Sequence, residues 1–158
     1  TVLNRRAVEK LYAIKKRRSD SPFIILFSNI KMLNMLSIDD DQVAKAQKYW
    51  PGGLSFVCEA PTAPTWLHKG LNSLAVRMPD YPQLLDLIER IGPIISTSAN
   101  PTGQKPAINM QEAKAYFGDS LDFYVDAGDI SGAPSTIARL KNGKLEVIRA
   151  GPLKIKED

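Results

Sequence analysis

Hydrophobic residues follow two patterns that alternate along the chain. Continuous apolar runs, such as FIILF at 23–27, are typical of buried strands. Aliphatic residues spaced three and four apart, as within 84–91, predict helices with one apolar face. The first pattern predicts strands at 21–27, 54–60, 73–79, 93–96, 122–128, 135–140 and 145–151. The second predicts helices at 4–17, 29–36, 40–50, 81–91 and 109–118.

Capping and turn residues mark the ends of several predicted elements. Asn4, Asp80 and Asn109 are placed to cap helix N-termini, and Asn109 forms a capping box with Glu112. Asn142-Gly143 predicts a type I′ turn, because both residue types readily adopt positive φ. The last two strands should therefore form a hairpin.

The order of these elements predicts an α/β fold. Helices and strands are interleaved and a hairpin closes the chain, so we expect a twisted mixed parallel/antiparallel sheet flanked by helices. A length of 158 residues suits one domain, which we expect to span residues 1–158. Ligands of α/β sheets gather outside the strand ends, so we expect the ligand cleft there.

Composition narrows the class of protein. The chain is 44% hydrophobic and 24% charged, which is typical of soluble globular proteins. No apolar stretch approaches the roughly 18–20 residues of a membrane span, and the N-terminal TVLNRRAVEK lacks a signal-peptide core. Cys58 is the only cysteine, which fits a reducing, cytoplasmic location. His68 is the only histidine and is expected at the surface, so neither a catalytic triad nor a metal site built from protein side chains is predicted.

Positive charge is concentrated near the N-terminus. The net charge is +4, but Glu9 is the only acidic residue of 5–18, which therefore carries +6 and leaves −2 for the rest. The basic residues of this cluster are Arg5, Arg6, Lys10, Lys15, Lys16, Arg17 and Arg18. We expect Lys15 and Arg17 to be exposed at the end of the first helix. The cluster favours an anionic ligand, and a solvated helix end is the equally good alternative.

Polar residues cluster at the ends of predicted strands. The apolar run at 93–95 ends in STSAN, which brings Ser96, Ser98 and Asn100 together. The other candidates at strand ends or turns are Lys15, Arg17, Ser73, Arg77, Ser135 and Arg149. Side chains of these types would bind a polar anion if they met at one rim. The sequence contains neither a GxxxxGK[ST] nor a GxGxxG nucleotide motif.

Each candidate also has a purely structural interpretation. Arg77 could form a salt bridge at the rim, and Arg149 could pair with Glu146 across the hairpin. Ser135 and Thr136 also suit a strand, and serines at strand ends commonly cap turns. Only the coincidence of several such residues favours a binding site.

Six segments of the chain have a recognisable residue spacing. They are LYAIKKRRSDSPFIILF (K-x-R, then proline and a strand), WPGGLSFV (W-P-G-x-hydrophobic), SLAVRMPDYP (A-V-R-x-P), STSANPTG (S-x-N), PSTIARL (S-T-I) and EVIRAG (R-x-G). In this order they resemble the YrdC-like family of threonylcarbamoyl-AMP synthases. The resemblance extends over nearly the whole chain, which makes chance similarity a poor explanation.

The resemblance implies an enzyme with an ATP-dependent nucleotidyltransferase activity. It would make threonylcarbamoyl-AMP from L-threonine, bicarbonate and ATP, with Mg²⁺ accompanying the nucleotide, and would release pyrophosphate. The product serves the N6-threonylcarbamoyladenosine modification of tRNA. The resemblance therefore also implies a downstream tRNA threonylcarbamoyl transferase as partner, and contact with tRNA or double-stranded RNA.

The resemblance also assigns roles to the candidate residues. It implies that ATP is bound by Lys15, Arg17, Ser73, Ser98, Asn100 and Arg149. It implies that Arg77 holds the carboxylate of threonine, with Ser135 and Ser96 near that amino acid. No covalent nucleophile is assigned, since transfer to the α-phosphate requires only charge neutralisation and positioning.

The chain departs from the family pattern in several places. It does not contain the family's upstream strand and P-T-[DE]-T-x-Y-G-L segment, which contributes to the threonine pocket; a partial chain and an unusually short member are the alternatives. Arg18 stands where the family often has proline, and Arg139 where it commonly has aspartate. The sequence also does not continue into the additional domain of longer members.

Two other functions remain alternatives. The basic residues could bind RNA phosphates, but no aromatic side chains for base stacking are interleaved with them. RNA binding would weaken steeply with salt, with log K falling by about 0.7–0.9 per phosphate contact for each log unit of salt. The missing segment could instead make the chain a catalytically inactive member, which would bind ATP without threonine-dependent turnover.

Overall fold

The fold is taken from a computed structural model, which describes residues 1–18, 21–130 and 132–156. Residues 19–20, 131 and 157–158 of the predicted domain lie outside the described residues. No helix of the described part of the chain is long and apolar enough to cross a membrane.

Six of the seven predicted strands form one mixed sheet. They are β1 (Ile24–Leu26), β2 (Leu54–Glu59), β3 (Ser73–Arg77), β4 (Ile94–Ser96), β5 (Thr136–Lys141) and β6 (Lys144–Arg149). Their order in the sheet is β4-β1-β3-β2-β5-β6. The pairs β1–β3 and β2–β5 are parallel, and the other three pairs are antiparallel. The predicted fold class is therefore confirmed.

Helices are present at all five predicted positions, although two of them are less regular than expected, and one short α-helix, at Thr65–His68, was not predicted. The α-helices are α1 (Arg5–Lys15), α2 (Asp40–Val43), α3 (Thr65–His68), α4 (Pro82–Ile91) and α5 (Met110–Phe117). Short 3₁₀ helices cover Ile30–Leu36, Gln47–Tyr49 and Gly118–Ser120. The predicted helix 29–36 is thus a 3₁₀ helix, and the predicted helix 40–50 is divided between α2 and a 3₁₀ turn.

Most of the predicted caps and turns are found in the structure. The Asn109 side chain accepts a hydrogen bond from the amide of Glu112 at 3.0 Å, as in the expected cap. Asn142 and Gly143 have φ of 51° and 74°, as a type I′ turn requires. The predicted cap at Asp80 is wrong: the N-cap of α4 is Tyr81, because Pro82 fixes the φ angle of the first helical turn.

One face of the sheet forms the hydrophobic core. Its buried residues include Ile25, Phe56, Cys58, Leu74, Val76 and Ala138. They pack in one cluster with Val8 of α1, Val43 of α2 and Leu67 of α3. Since strand residues alternate between faces, their neighbours lie on the opposite face, where Ile24, Val57, Ala75 and Ile137 are only half-buried. Part of this second face is open.

Two predictions fail for reasons that lie outside the local sequence. The predicted strand 122–128 is irregular, and Phe123 is 77% exposed, because no neighbouring strand pairs with it among the described residues. His68, expected at the surface, is buried with 3% of its area exposed. Its Nδ1 accepts hydrogen bonds from the amides of Gly70 and Asn72, so the histidine closes the turn that follows α3.

Candidate functional site

A cleft of about 530 Å³ lies on the open face of the sheet. Its floor is formed by Ile24, Val57, Ala75 and Ile137, from four different strands. Small-molecule sites commonly enclose about 300–1,000 Å³, so the size suits a metabolite rather than a macromolecule. The cleft extends from the strand ends, where it was predicted, onto the sheet face itself.

Arg17 forms one wall of the cleft, just beyond the end of α1. Its Nε donates to the carbonyl oxygen of Ser21 at 2.6 Å, and its Nη2 to that of Pro22 at 3.0 Å. Its guanidinium carbon lies 4.7 Å from the centre of the Phe23 ring, within cation–π range. These contacts hold the side chain in place without neutralising its charge.

Arg77 and Arg149 line the cleft from β3 and β6. Arg77 Nε donates to the carbonyl oxygen of Gly52 at 2.8 Å, and burial lowers the pKa of Arg77. Arg149 Nη2 donates to the carbonyl oxygen of Ser135 at 2.8 Å. Among the described residues, no carboxylate forms a salt bridge with either arginine or with Arg17. Three guanidinium groups that no described carboxylate neutralises therefore face one cavity, which favours an anion.

The STSAN loop forms the next wall, and Lys15 supports it from below. Lys15 Nζ donates to the carbonyl oxygen of Ser98 and, at 3.3 Å, to Oδ1 of Asn100. Asn100 Oδ1 also accepts from the Ser98 hydroxyl at 2.5 Å. The amide and the hydroxyl of Thr102 both donate to the carbonyl oxygen of Lys15. These bonds fix the loop to the end of α1.

Lys15 is buried rather than exposed, which corrects the expectation from the sequence. Only 3% of its surface is accessible, because the loop 98–102 folds over the end of α1. Burial, with a smaller contribution from the nearby charge of Arg17, lowers the pKa of Lys15 to about 8. The ammonium group thus lies under the cleft wall, with a pKa well below that of an exposed lysine.

Serine hydroxyls complete the lining. Ser96 and Ser98 line the cleft from the end of β4 and the loop beyond it, and Ser135 lines it just before β5. Ser135 Oγ lies 2.8 Å from Oγ of Ser55, a fully buried residue of β2. Sequence reasoning missed Ser55. Its only signal in the sequence is a polar residue near the start of the mostly apolar strand β2.

Ser73 is the one candidate that the fold places elsewhere. It lies four residues before Arg77 on β3, about 13 Å away along the strand. Ser73 lines a second depression on the same face, together with Glu59 and Arg139. The cleft therefore brings together six predicted residues, Arg17, Arg77, Ser96, Ser98, Ser135 and Arg149, with Lys15 and Asn100 directly behind them.

The structural alternatives for two of these residues do not apply. Glu146 does not pair with Arg149; it accepts hydrogen bonds from Arg139 at 2.5 Å and Lys141 at 2.9 Å. Arg77 is hydrogen-bonded to a backbone carbonyl rather than to a rim carboxylate. Both arginines are thus available to a ligand.

Two glycines of the sequence motifs have a packing explanation. A Cβ atom on Gly52 would lie 2.5 Å from the carbonyl oxygen of Tyr49. One on Gly151 would lie 2.5 Å from the carbonyl oxygen of Pro134 and from the amide nitrogen of Thr136. A side chain at either position would displace the backbone that holds Arg77 or Ser135.

The sequence matches known proteins along most of its length. A family model for the Sua5, YciO and YrdC proteins, described as telomere recombination, matches residues 1–151. The threonylcarbamoyl-AMP synthase of Enterobacter sp. (strain 638) is 37% identical over 147 residues, which cover 87% of this chain and 76% of the relative. That of Pseudoalteromonas translucida (strain TAC 125) is 34% identical over 150 residues, covering 90% and 80%.

Solved structures show the same fold. Sua5 of P. abyssi, complexed with L-threonine, superposes with a TM-score of 0.83 at 29% identity, covering 96% of this chain and 46% of that one. This chain thus spans about half of that Sua5 protein. YciO of E. coli gives a TM-score of 0.79 at 21% identity, covering 96% and 76%, and supports the fold alone.

Proposed function

We propose that this chain, which belongs to the Sua5/YciO/YrdC family, is a threonylcarbamoyl-AMP synthase. The observation that carries the proposal is the cleft, where Arg17, Arg77 and Arg149 face one cavity together with serine hydroxyls. Such a lining suits a ligand that carries several negative charges, as ATP and an amino-acid carboxylate do together.

The proposed reaction forms a mixed anhydride without a covalent enzyme intermediate. The amine of L-threonine combines with bicarbonate to give a carbamate and water. A carbamate oxygen then attacks the α-phosphate of ATP, the bond between the α-phosphate and the bridging oxygen breaks, and pyrophosphate leaves with the electron pair. Catalysis needs the two anionic reactants held together and the developing charge stabilised, which fixed guanidinium groups can supply.

The phosphate side of the site is assigned to the end of α1 and to the STSAN loop. Arg17 would contact the phosphates directly, and the buried charge of Lys15 would act on them through the wall it supports. Ser98, Asn100 and Arg149 would hold the nucleotide. Asn100 is only 9% exposed, so its main contribution in this assignment is to shape the loop.

The threonine side is assigned to β3 and to the entrance of β5. Arg77 would bind the carboxylate of threonine, with Ser96 and Ser135 close to the same amino acid. Ser73 was implied to bind ATP, but it lines the second depression rather than the cleft. We therefore leave Ser73 out of the proposed site.

The lining fits a metal ion that arrives with the nucleotide. The cleft presents guanidinium and hydroxyl groups, and its described lining contains no carboxylate. Mg²⁺ binds oxygen ligands and is commonly held by substrate phosphates. Phosphate oxygens of ATP would therefore carry Mg²⁺ here and provide additional charge neutralisation.

Pyrophosphate release tests the proposal directly. The chain is incubated with ATP, Mg²⁺ and bicarbonate, with and without L-threonine, and pyrophosphate is measured. We expect release that depends on threonine. ATP binding without such release would instead indicate a catalytically inactive member of the family.

The product would be consumed by a partner. A carbamoyl-phosphate anhydride is reactive, so a tRNA threonylcarbamoyl transferase in the same cytoplasmic compartment would be the acceptor enzyme. The structure gives little support to direct RNA binding. Two basic residues of α1, Arg5 and Lys10, are paired with Glu9 and Asp122. Titration of tRNA at several salt concentrations separates surface binding, which falls steeply with salt, from nucleotide binding in the cleft.

A further inference from the structure

A fully buried hydroxyl lies directly behind the cleft. Ser55 on β2 has no exposed surface, and its Oγ is 2.8 Å from Oγ of Ser135, which borders the cleft. Ser55 pairs with Ile137 of the neighbouring strand, and Ile137 forms part of the cleft floor. The hydroxyl therefore points to the cleft side of the sheet, although it does not reach the cavity.

The direction of this hydrogen bond follows from the partners that are present. In the described part of the chain, Ser135 Oγ is the hydrogen-bond partner of the Ser55 hydroxyl. Ser135 Oγ also accepts from Nη2 of Arg149 at 3.3 Å. If Ser135 donated its proton to Ser55, the Ser55 proton would be buried without an acceptor, which is unfavourable.

The opposite direction satisfies every group. When Ser55 donates, the two lone pairs of Ser135 are filled by Ser55 and Arg149, and the Ser135 proton remains for an acceptor in the cleft that Ser135 lines. Ser135 is then able to donate to a ligand but not to accept from one. A ligand atom at this position must be an acceptor oxygen.

We propose that Ser55 is a positioning residue that holds the Ser135 hydroxyl as a hydrogen-bond donor to an acceptor oxygen of the amino-acid substrate. The inference rests on the proposed function and deepens it. It places a carboxylate or hydroxyl oxygen of L-threonine at Ser135 and directs the amino group elsewhere, since an ammonium has only protons to offer. This selection comes from a residue that touches no substrate.

Substitution of Ser55 tests the inference through KM values. We expect Ser55→Ala to raise the KM for L-threonine about fivefold, the effect of one net hydrogen bond, and to leave the KM for ATP unchanged. Ser55→Thr keeps the hydroxyl and suits a strand, so its KM for L-threonine should equal that of the wild type. Ser55→Cys keeps the size but donates weakly, and should resemble Ser55→Ala.

Thr136→Val is the matched control. Thr136 is also buried, and its hydroxyl donates to the carbonyl oxygen of Leu153 at 2.8 Å, away from the cleft. Loss of this hydroxyl should lower the melting temperature without changing the KM for threonine. Melting temperatures of both variants separate an effect on folding from an effect on substrate binding.

A double-mutant cycle determines whether Ser55 acts through Ser135. Ser55→Ala should have no further effect on the threonine KM once Ser135→Ala is present. The inference would be overturned if the two substitutions raised the threonine KM independently in the double variant. It would also be overturned if Ser55→Ala and Thr136→Val changed the threonine KM equally. Both outcomes presuppose that the wild type shows threonine-dependent turnover. Wild type without threonine-dependent pyrophosphate release would overturn the proposed function, and this inference with it.

Discussion

The two ends of the open sheet face differ in how their arginines are held. At the cleft end, Arg149 donates to the carbonyl oxygen of Ser135 at 2.8 Å. At the far end, Arg139 donates to the carboxylate of Glu146 at 2.5 Å. Both arginines belong to the β5–β6 hairpin. The hairpin therefore carries one arginine bonded to a backbone carbonyl, Arg149, and one that is paired with a carboxylate, Arg139.

The comparison shows that an arginine is informative only together with its partner. A carbonyl oxygen orients a guanidinium group and leaves its net charge intact, whereas a carboxylate cancels it. Hydrogen bonds from Lys141 and then from Arg139 hold the pKa of Glu146 below its usual range, as expected for a carboxylate paired with two cations. We therefore expect anion binding at the cleft end, beside Arg149, where the described lining contains no carboxylate.

The largest expected effect separates the two arginines. Arg149→Ala should lower kcat/KM for pyrophosphate release about 100-fold or more, because a charge-assisted contact in a cleft is lost. Arg139→Ala should stay within about twofold, since an exposed ion pair contributes little. Steady-state kinetics of both variants check this, and similar losses would show that charge compensation does not distinguish the two ends.

Substitution in the STSAN loop should have a smaller effect, which falls mainly on nucleotide binding. Asn100→Ala removes one of the two acceptors of Lys15 Nζ and the acceptor of the Ser98 hydroxyl. We expect nucleotide binding to weaken about tenfold and threonine binding to change less, because the loop forms the nucleotide wall. Calorimetric titration of each ligand measures the two affinities. Equal losses would contradict the division of the cleft into two sides.

The protonation of Lys15 predicts two effects of opposite sign. Its pKa of about 8 means that the ammonium charge is lost as the pH rises through 8, so nucleotide affinity should fall between pH 7 and 9. The free energy of unfolding should rise with pH between 8 and 10.5. In this range the unfolded chain still holds the proton that the folded chain has released. Lys15→Arg, which keeps its charge, should remove the pH dependence of binding.

The smallest expected effect concerns the tip of the hairpin. Gly143 has a φ of 74°, so Gly143→Ala should destabilise the fold by about 1 kcal/mol. The turn lies beside Arg139 rather than Arg149, and turnover at a temperature well below unfolding should be unchanged. Denaturant unfolding and activity are measured together. A loss of activity larger than the loss of stability would show that the two ends of the hairpin are coupled.

Local interactions explain what could be predicted from the sequence. The cap of Asn109 and the turn at Asn142-Gly143 depend on contacts within a few residues, and both predictions are confirmed. Elements with a strong local pattern, such as β2 and α4, were found for the same reason. The candidate site residues were chosen by their place at predicted strand ends and by motif spacing, and the fold brings most of them to one cleft.

Long-range packing explains what could not be predicted. An apolar segment becomes a strand only if another strand pairs with it, and 122–128 finds none among the described residues. Lys15 is buried because a loop more than 80 positions later folds over it. Ser73 and Arg77 occupy one strand and one face, yet only the neighbouring loops decide which of them borders the cleft.

The sequence by itself determined most of the strands, the hairpin turn, the excess of positive charge and the residue types of the candidate site, because these depend mainly on composition and on neighbours along the chain. The tertiary structure alone decided which arginines contact a backbone carbonyl and which pair with a carboxylate. It also decided that a buried serine would direct the hydroxyl of another. Charge compensation and hydrogen-bond direction depend on partners brought together by folding, so no local pattern contains them.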